Sequence, residues 1–321
     1  MRVLVTGANG QLGRDLIPLL ETAGHTVYGA TRRAEENPME ITDFASIVAQ
    51  FERFQPDAVI HAAAHTNVDD CERNPDNAYR VNALGTWNIA TIAGEANIPL
   101  IYVSTDFVFD GAKRTPYTEY DATNPLNHYG ASKLAGEKHV AQLCRKHFIA
   151  RTSWLFGVHG MNFPRRMLEL AQTRKELTVI ADQIGSPTHT LDLAGVLVSL
   201  LASQHYGTYH VSNSGECSWY QFAQKTLELA GVQGVNVRPI RTATGSPPPA
   251  APPTPSSTTS PSNCKATPCF RTGRQHFRIY WLVPHRFFTT PLLEFVIACS
   301  NYPLLYFCLK TKPILSSFWL R

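Results

Sequence analysis

Thr6-Gly7-Ala8-Asn9-Gly10-Gln11-Leu12-Gly13 is the stretch that decides the fold of this 321-residue chain. The apolar run Arg2–Thr6 precedes it, and an amphipathic stretch over residues 11–23 follows. A strand, a glycine-rich turn and a helix thus come in immediate succession. Gly7 allows the tight turn, Gly10 lets the backbone approach a pyrophosphate, and Gly13 lets the helix pack closely on the strand. The helix start offers free N–H groups and a positive dipole end to the phosphates. Taken alone, such a match can be an ordinary glycine-rich turn. Its strand–loop–helix setting favours a dinucleotide site.

Further short β-branched runs lie at Thr26–Ala30, Ala58–His61, 100–104 and 148–152. Amphipathic stretches at 76–96 and 129–146 alternate with them. Such alternation of apolar strands with helices predicts an α/β fold, a Rossmann-type doubly wound parallel sheet covered on both faces. Residues 1–160 read as the NAD(P)-binding domain. Residues 161–244 read as a smaller α/β substrate lobe, with 190–215 a candidate to return to the Rossmann sheet. Val3-Leu4-Val5 follows Met1-Arg2 directly, so no leader is expected. Scattered cysteines without a CxxC pair suit a reducing cytoplasm and argue against structural zinc.

The second run ends Gly29-Ala30-Thr31-Arg32-Arg33. An arginine here suits the 2′-phosphate of NADP, whereas an acid would bind the ribose hydroxyl of NAD. Arg32 therefore leans toward NADPH, with NADH as the second option and a solvated surface arginine as the bland one. Glu40 and Ile41 could flank the adenine or simply open the next helix. Ser104-Thr105-Asp106 closes the fourth run, and open parallel sheets bind ligands at such carboxyl ends. Tyr129 and Lys133 are four apart and share one helical face. A lysine charge favours tyrosinate and lowers the phenol pKa. Tyr129 could then donate a proton to a carbonyl while Thr105 polarises the same oxygen, and Lys133 could hold a ribose. An exposed helix pair is the bland alternative, weakened by the order of these motifs.

These motifs resemble the extended short-chain dehydrogenase/reductase superfamily, and within it the dTDP-4-dehydrorhamnose reductase family. The similarity is carried by residues 6–13, His61-Ala62-Ala63-Ala64-His65-Thr66-Asn67-Val68-Asp69, Val81-Asn82-Ala83, Ser104-Thr105-Asp106-Phe107-Val108-Phe109-Asp110-Gly111, Tyr129-Gly130-Ala131-Ser132-Lys133, residues 151–157 and residues 182–188. The resemblance implies that Gly10, Gln11 and Leu12 line the pyrophosphate. It places Ala62, Ala63, Ala64 and His65 beside the cofactor, and Asp106 and Trp154 on the sugar. Tyr129 would be the proton donor, with Lys133 and Thr105 as its partners. The implied reaction reduces the C4 ketone of dTDP-4-dehydro-L-rhamnose to dTDP-L-rhamnose. A homodimer and Mg²⁺ also come with the resemblance alone. Trp154 has a plainer reading as a core aromatic.

Sister dehydratases carry an Asp-Glu pair after the threonine; here Phe107 follows Asp106, which favours plain carbonyl reduction. A reductase or epimerase acting on another nucleotide sugar is the alternative within the class. A non-catalytic regulatory subunit of the same fold is the alternative outside it. His61, His65 and His128 show no metal-ligand spacing, so no metal site is expected from the residues.

Residues 245–321 depart from this pattern. They hold 12 of the 22 prolines, 4 of the 7 cysteines, eight Lys/Arg and one acid, Glu294. The remainder carries 21 basic and 24 acidic side chains. The net charge of +4 thus belongs to the tail and gives no ground for nucleic-acid binding. Glu294, Asn301 and Pro303 interrupt the apolar stretch 291–309, so no membrane span is expected. Taking the third base of each codon with the first two of the next lets the run after Gly245 spell R-P-A-Y-S-V-L-D-N, similar to the family's missing lobe-closing segment. The tail therefore reads as an out-of-frame translation, poorly ordered, that leaves the sugar lobe incomplete. A genuine Pro-rich linker with an interaction segment is the other reading.

Overall fold

The computed structural model describes residues 1–32 and 38–242. They fall within one compact unit, Met1–Ile279. The expectations for residues 245–321 lie outside the described residues, as does Arg33.

The first half of the chain runs β1 (Arg2–Thr6), α1 (Gln11–Thr22), β2 (Thr26–Ala30), α2 (Phe44–Phe54), β3 (Ala58–His61), α3 (Val68–Arg73), α4 (Pro75–Tyr79), α5 (Gly85–Glu95), β4 (Leu100–Thr105), α6 (His128–Leu143) and β5 (His147–Thr152). The second half runs β6 (Leu155–Phe156), α7 (Phe163–Thr173), β7 (Glu176–Ile180), β8 (Ile184–Gly185), β9 (Thr188–His189), α8 (Thr190–Leu201), β10 (Gly207–His210), β11 (Cys217–Ser218), α9 (Trp219–Leu229) and β12 (Asn236–Ile240).

Six strands form one sheet in the order β10-β5-β4-β3-β1-β2, all parallel. Strand side chains alternate between its two faces. Val3, Val5, Ile60, Ile101 and Phe148 pack under Leu16 and Leu20 of α1 and Leu193 and Leu197 of α8. Leu4, Val59, Leu100, Tyr102 and Ile149 pack under Ile47 of α2, Ile89 of α5 and Val140 of α6. A sheet buried on both faces in this way is what continuous apolar strands require. The chain leaves the sheet after β5 and returns as β10, which pairs with β5. The smaller lobe pairs β7 with β12 and covers them with α7 and α9 around Met167, Leu177, Val179, Ala223 and Leu227. Ser218 and Gln221 close a reciprocal capping box at the start of α9.

The strand order reverses direction between β1 and β3, and the loops leaving these two strands part there to open a crevice. Register places Thr6 beside His61 and Thr105 beside Thr152. The glycine loop, the alanine loop and the Thr105 turn therefore meet at one end of the sheet.

The helix expected over residues 76–96 is broken. α4 and α5 are joined by a π-helical turn, Arg80–Leu84. The wide turn brings the fully buried Asn82 inward, where its amide takes the His65 N–H at 2.7 Å and donates to the His65 carbonyl and Ser132 Oγ, both at 3.0 Å. Such turns recur at functional sites.

Candidate active site

The glycine loop is built for close approach. Gly7 has φ +70°, and a Cβ there would come within 2.9 Å of the Ala63 nitrogen. A Cβ on Gly13 would meet the Gly7 carbonyl oxygen at 2.5 Å. No side chain caps α1, so its first N–H groups remain free for an anion. These cradles fit a dinucleotide.

The loop borders a cleft of about 740 Å³, within the range of small-molecule sites. The cleft brings together Gly7, Gly10, Gln11, Leu12, Gly13, Ala62, Ala64, Thr105, Asp106, Tyr129, Lys133 and Trp154. Five expected cofactor residues do not border it. Arg32 is exposed just past β2. Glu40 turns back to accept from the Thr42 N–H and hydroxyl. Ile41 is in the second core, and the Ala63 side chain packs against that core. His65 pairs with Asp70 at 2.8 Å.

Gln11 does more than line the loop. Its amide donates to the Leu155 carbonyl at 3.1 Å and accepts from Asn162 at 2.9 Å, tying the phosphate loop to the chain entering the smaller lobe. A buried hydrogen-bond chain fixes the alanine loop. Thr86 Oγ1 donates to the Asn82 carbonyl at 2.7 Å, so it accepts from His61 Nε2 at 3.1 Å. His61 Nδ1 then accepts from Thr6 Oγ1 at 2.7 Å, and Thr6 Oγ1 takes the Ala63 N–H at 3.1 Å. Burial, aided by the Lys133 charge, pushes His61 down to about 3, consistent with this neutral tautomer.

Tyr129 sits at the first turn of α6, whose cap Asn127 accepts the Gly130 N–H at 2.7 Å. Phe107 packs edge-on to its ring at 5.5 Å. Burial pushes the phenol pKa up, outweighing a smaller opposing pull from Thr105. The lowering by Lys133 expected from sequence does not govern Tyr129 here. Lys133 Nζ instead donates to the Val103 carbonyl at 2.7 Å and lies 4.0 Å from the Tyr102 ring centre. Burial holds Lys133 down at about 7, opposed by Glu137. Glu137 in turn grips Arg151 through two bonds of 2.9 and 2.7 Å and accepts from Ser104 at 2.6 Å.

Thr105 Oγ1 donates to Asp106 Oδ1 at 3.0 Å and accepts the Phe107 N–H at 3.2 Å. Asp106 Oδ2 is buried without a partner. Trp154 is a core aromatic that also reaches the cleft. It stacks on Trp219 at 3.5 Å in the small aromatic core, and it borders the cleft. Its φ of +47° is an outlier for a bulky residue, of the kind that clusters at functional sites. Phe163, Met167, Gln183 and Trp219 also line the cleft. Sequence reasoning had not assigned these four to the site; only the R-T-S-W and D-Q-I-G-S-P-T motifs pointed near them.

Among the described residues, no group of three His, Cys, Asp or Glu side chains is placed to hold a metal ion, so Mg²⁺ gains no support. No described helix is long and apolar enough to cross a membrane.

A doubly wound sheet with a glycine-lined helix start and a Thr–Tyr–Lys constellation at its switch point defines a Rossmann-type NAD(P)-binding reductase. The model of the RmlD substrate binding domain family matches residues 1–278, beyond the Thr244 limit read from sequence. A dTDP-4-dehydrorhamnose reductase of Aggregatibacter actinomycetemcomitans is 41% identical over 73% of this chain and 81% of that protein. The spore coat polysaccharide biosynthesis protein SpsK of Bacillus subtilis is 44% identical over 72% of this chain and 80% of that protein. A solved dTDP-4-dehydrorhamnose reductase from Bacillus anthracis, in complex with NADP, aligns with a TM-score of 0.71 and 43% identity. It covers 75% of this chain and 85% of that one. The chain belongs to the RmlD family, the dTDP-4-dehydrorhamnose reductases.

Proposed function

We propose that this chain reduces the C4 ketone of dTDP-4-dehydro-L-rhamnose to dTDP-L-rhamnose, in the cytoplasm, with NADPH. The observation that carries the reading is the meeting of an uncapped, glycine-lined helix start with Thr105, Tyr129 and Lys133 in one cleft. Gly10, Gln11 and Leu12 line the pyrophosphate, held by the amides of Gln11 and Leu12 while the Gly10 N–H closes the turn on the Gly7 carbonyl, and Ala62 and Ala64 flank the ribose. Arg32 is the residue nearest in sequence to a 2′-phosphate site, and its exposure leaves it free to turn there. When bound, NADPH supplies the hydride that the ketone carbon accepts. Tyr129 gives its phenolic proton to the ketone oxygen. Lys133 holds a ribose hydroxyl and lends positive charge to the site. Asp106 and Trp154 border the sugar end of the cleft.

NADPH oxidation across a panel of nucleotide-linked keto-sugars tests this. The highest kcat/KM is expected for dTDP-4-dehydrorhamnose. A clear preference for another nucleotide or another keto-sugar overturns the substrate assignment.

A further inference from the structure

Two side-chain amides span the junction between the phosphate loop and the smaller lobe. Asn162 caps α7, where its Oδ1 accepts the Arg165 N–H at 3.2 Å. That bond turns its nitrogen the other way. Nδ2 then spends its two hydrogens on Gln11 Oε1 at 2.9 Å and the Gly157 carbonyl at 2.8 Å. With its oxygen toward Asn162, Gln11 presents its own nitrogen to the Leu155 carbonyl at 3.1 Å. The helix cap thus fixes the orientation of both amides, and the Asn162 side chain is buried.

The bridge ends beside the walls of the cleft. Leu155 follows Trp154, and Asn162 lies between Met161 and Phe163. Trp154, Met161 and Phe163 all border the cleft. Trp154 and Phe163 pack on the same third ring, Trp219, with centroids 3.5 and 4.6 Å away. Gln11 therefore has two tasks. Its backbone N–H, at the uncapped start of α1, faces the pyrophosphate place, while its side chain holds both chain segments that carry this aromatic wall.

We propose that Gln11 and Asn162 form a positioning pair through which the dinucleotide and the sugar nucleotide strengthen each other's binding. The inference rests on the reading of the cleft as a site for NADPH and a dTDP-sugar. A pyrophosphate on the Gln11 N–H fixes the backbone from which the bridge is built. A sugar nucleotide against Trp154 and Phe163 fixes the bridge from its other end. Whichever ligand comes first restrains the shared residue, so the second has less ordering to impose. By linkage the gain is the same in both directions. One turn along α1, Asp15 accepts from the Thr190 hydroxyl and lies 3.4 Å from His159. The segment therefore stays attached to α1 when the bridge is cut.

Calorimetric titration of the 321-residue chain with dTDP, alone and at saturating NADP⁺, tests this. dTDP carries no reacting group, so binding is read apart from chemistry. NADP⁺ is expected to lower the dTDP Kd about fivefold or more in the wild type. Asn162→Ser keeps a good helix cap but is too short to reach Gln11. Its Kd ratio should fall to about one, while dTDP and NADP⁺ each still bind alone. Gln11→Met keeps the backbone amide and the Asn162–Gly157 bond and removes only the bridge. It should lose the same ratio, and the double variant should lose no more. A merely structural role would weaken both ligands and leave the ratio intact. A ratio near one in the wild type, or the wild-type ratio retained in either variant, overturns the proposal. If Asn162→Ser does not bind NADP⁺, Gln11→Met decides by the same outcomes. A wild-type chain that binds NADP⁺ but no dTDP under either condition sinks the dTDP-sugar reading itself, and the inference with it, which separates the two failures.

Discussion

At the scale of single residues, burial keeps several groups around the cleft from their ordinary protonation states. His61 is the clearest case. Its folded pKa is about 3 against an ordinary value of 6.5, so the unfolded chain binds the extra proton between those values. Unfolding free energy therefore rises with pH through this window. The contribution is fully present above about pH 6.5 and is lost as pH falls toward 3. A slope of about 1.4 kcal/mol per pH unit belongs to this one histidine. Urea denaturation between pH 4.5 and 6.5 measures it. His61→Asn should lose that part of the slope, and an unchanged slope in the variant would contradict the buried neutral tautomer.

At the scale of elements, α6 is positioned by contacts that glycine alone permits. A side chain on Gly130 would run into the Phe107 carbonyl, and one on Gly136 would run into Tyr102 and Asn82. Gly130→Ala should cost about 1–3 kcal/mol in stability by denaturant titration, and should lower kcat by displacing the adjacent Tyr129. Normal stability and kcat would show that α6 has slack at this point. The sheet strands and the Tyr129–Lys133 spacing were legible in the sequence because hydrophobic period and motif spacing are local. The π turn at Arg80–Leu84 was not, since it exists to let Asn82 reach His65 and Ser132, which are distant in sequence. Likewise Trp219 and Met167 reach the cleft only through lobe packing. Glu40, Ile41 and His65, expected at the cofactor, are engaged by local hydrogen bonds and core packing and do not border the cleft.

At the scale of the whole molecule, the enzyme body and the tail make separate claims. Both cores flanking the sheet and the cofactor loop lie within the first 211 residues, whereas the described part of the small lobe runs on to β12. A frame-corrected chain should therefore bind NADPH as the 321-residue chain does, yet show a higher kcat/KM for the sugar nucleotide. Titration of NADPH fluorescence and steady-state kinetics on both chains check this. Equal kcat/KM would show that residues 245–321 complete the lobe as they stand. The central claim is that this cleft reduces a sugar ketone with Tyr129 as proton donor. It is tested most directly by NADPH oxidation with dTDP-4-dehydrorhamnose, with the product sugar identified, for the 321-residue chain and its Tyr129→Phe variant. The account predicts one dTDP-rhamnose per NADPH oxidised, and a loss of about 100-fold or more in the variant with NADPH binding intact. An undiminished rate in the variant, or NADPH oxidation without a reduced sugar, would contradict it.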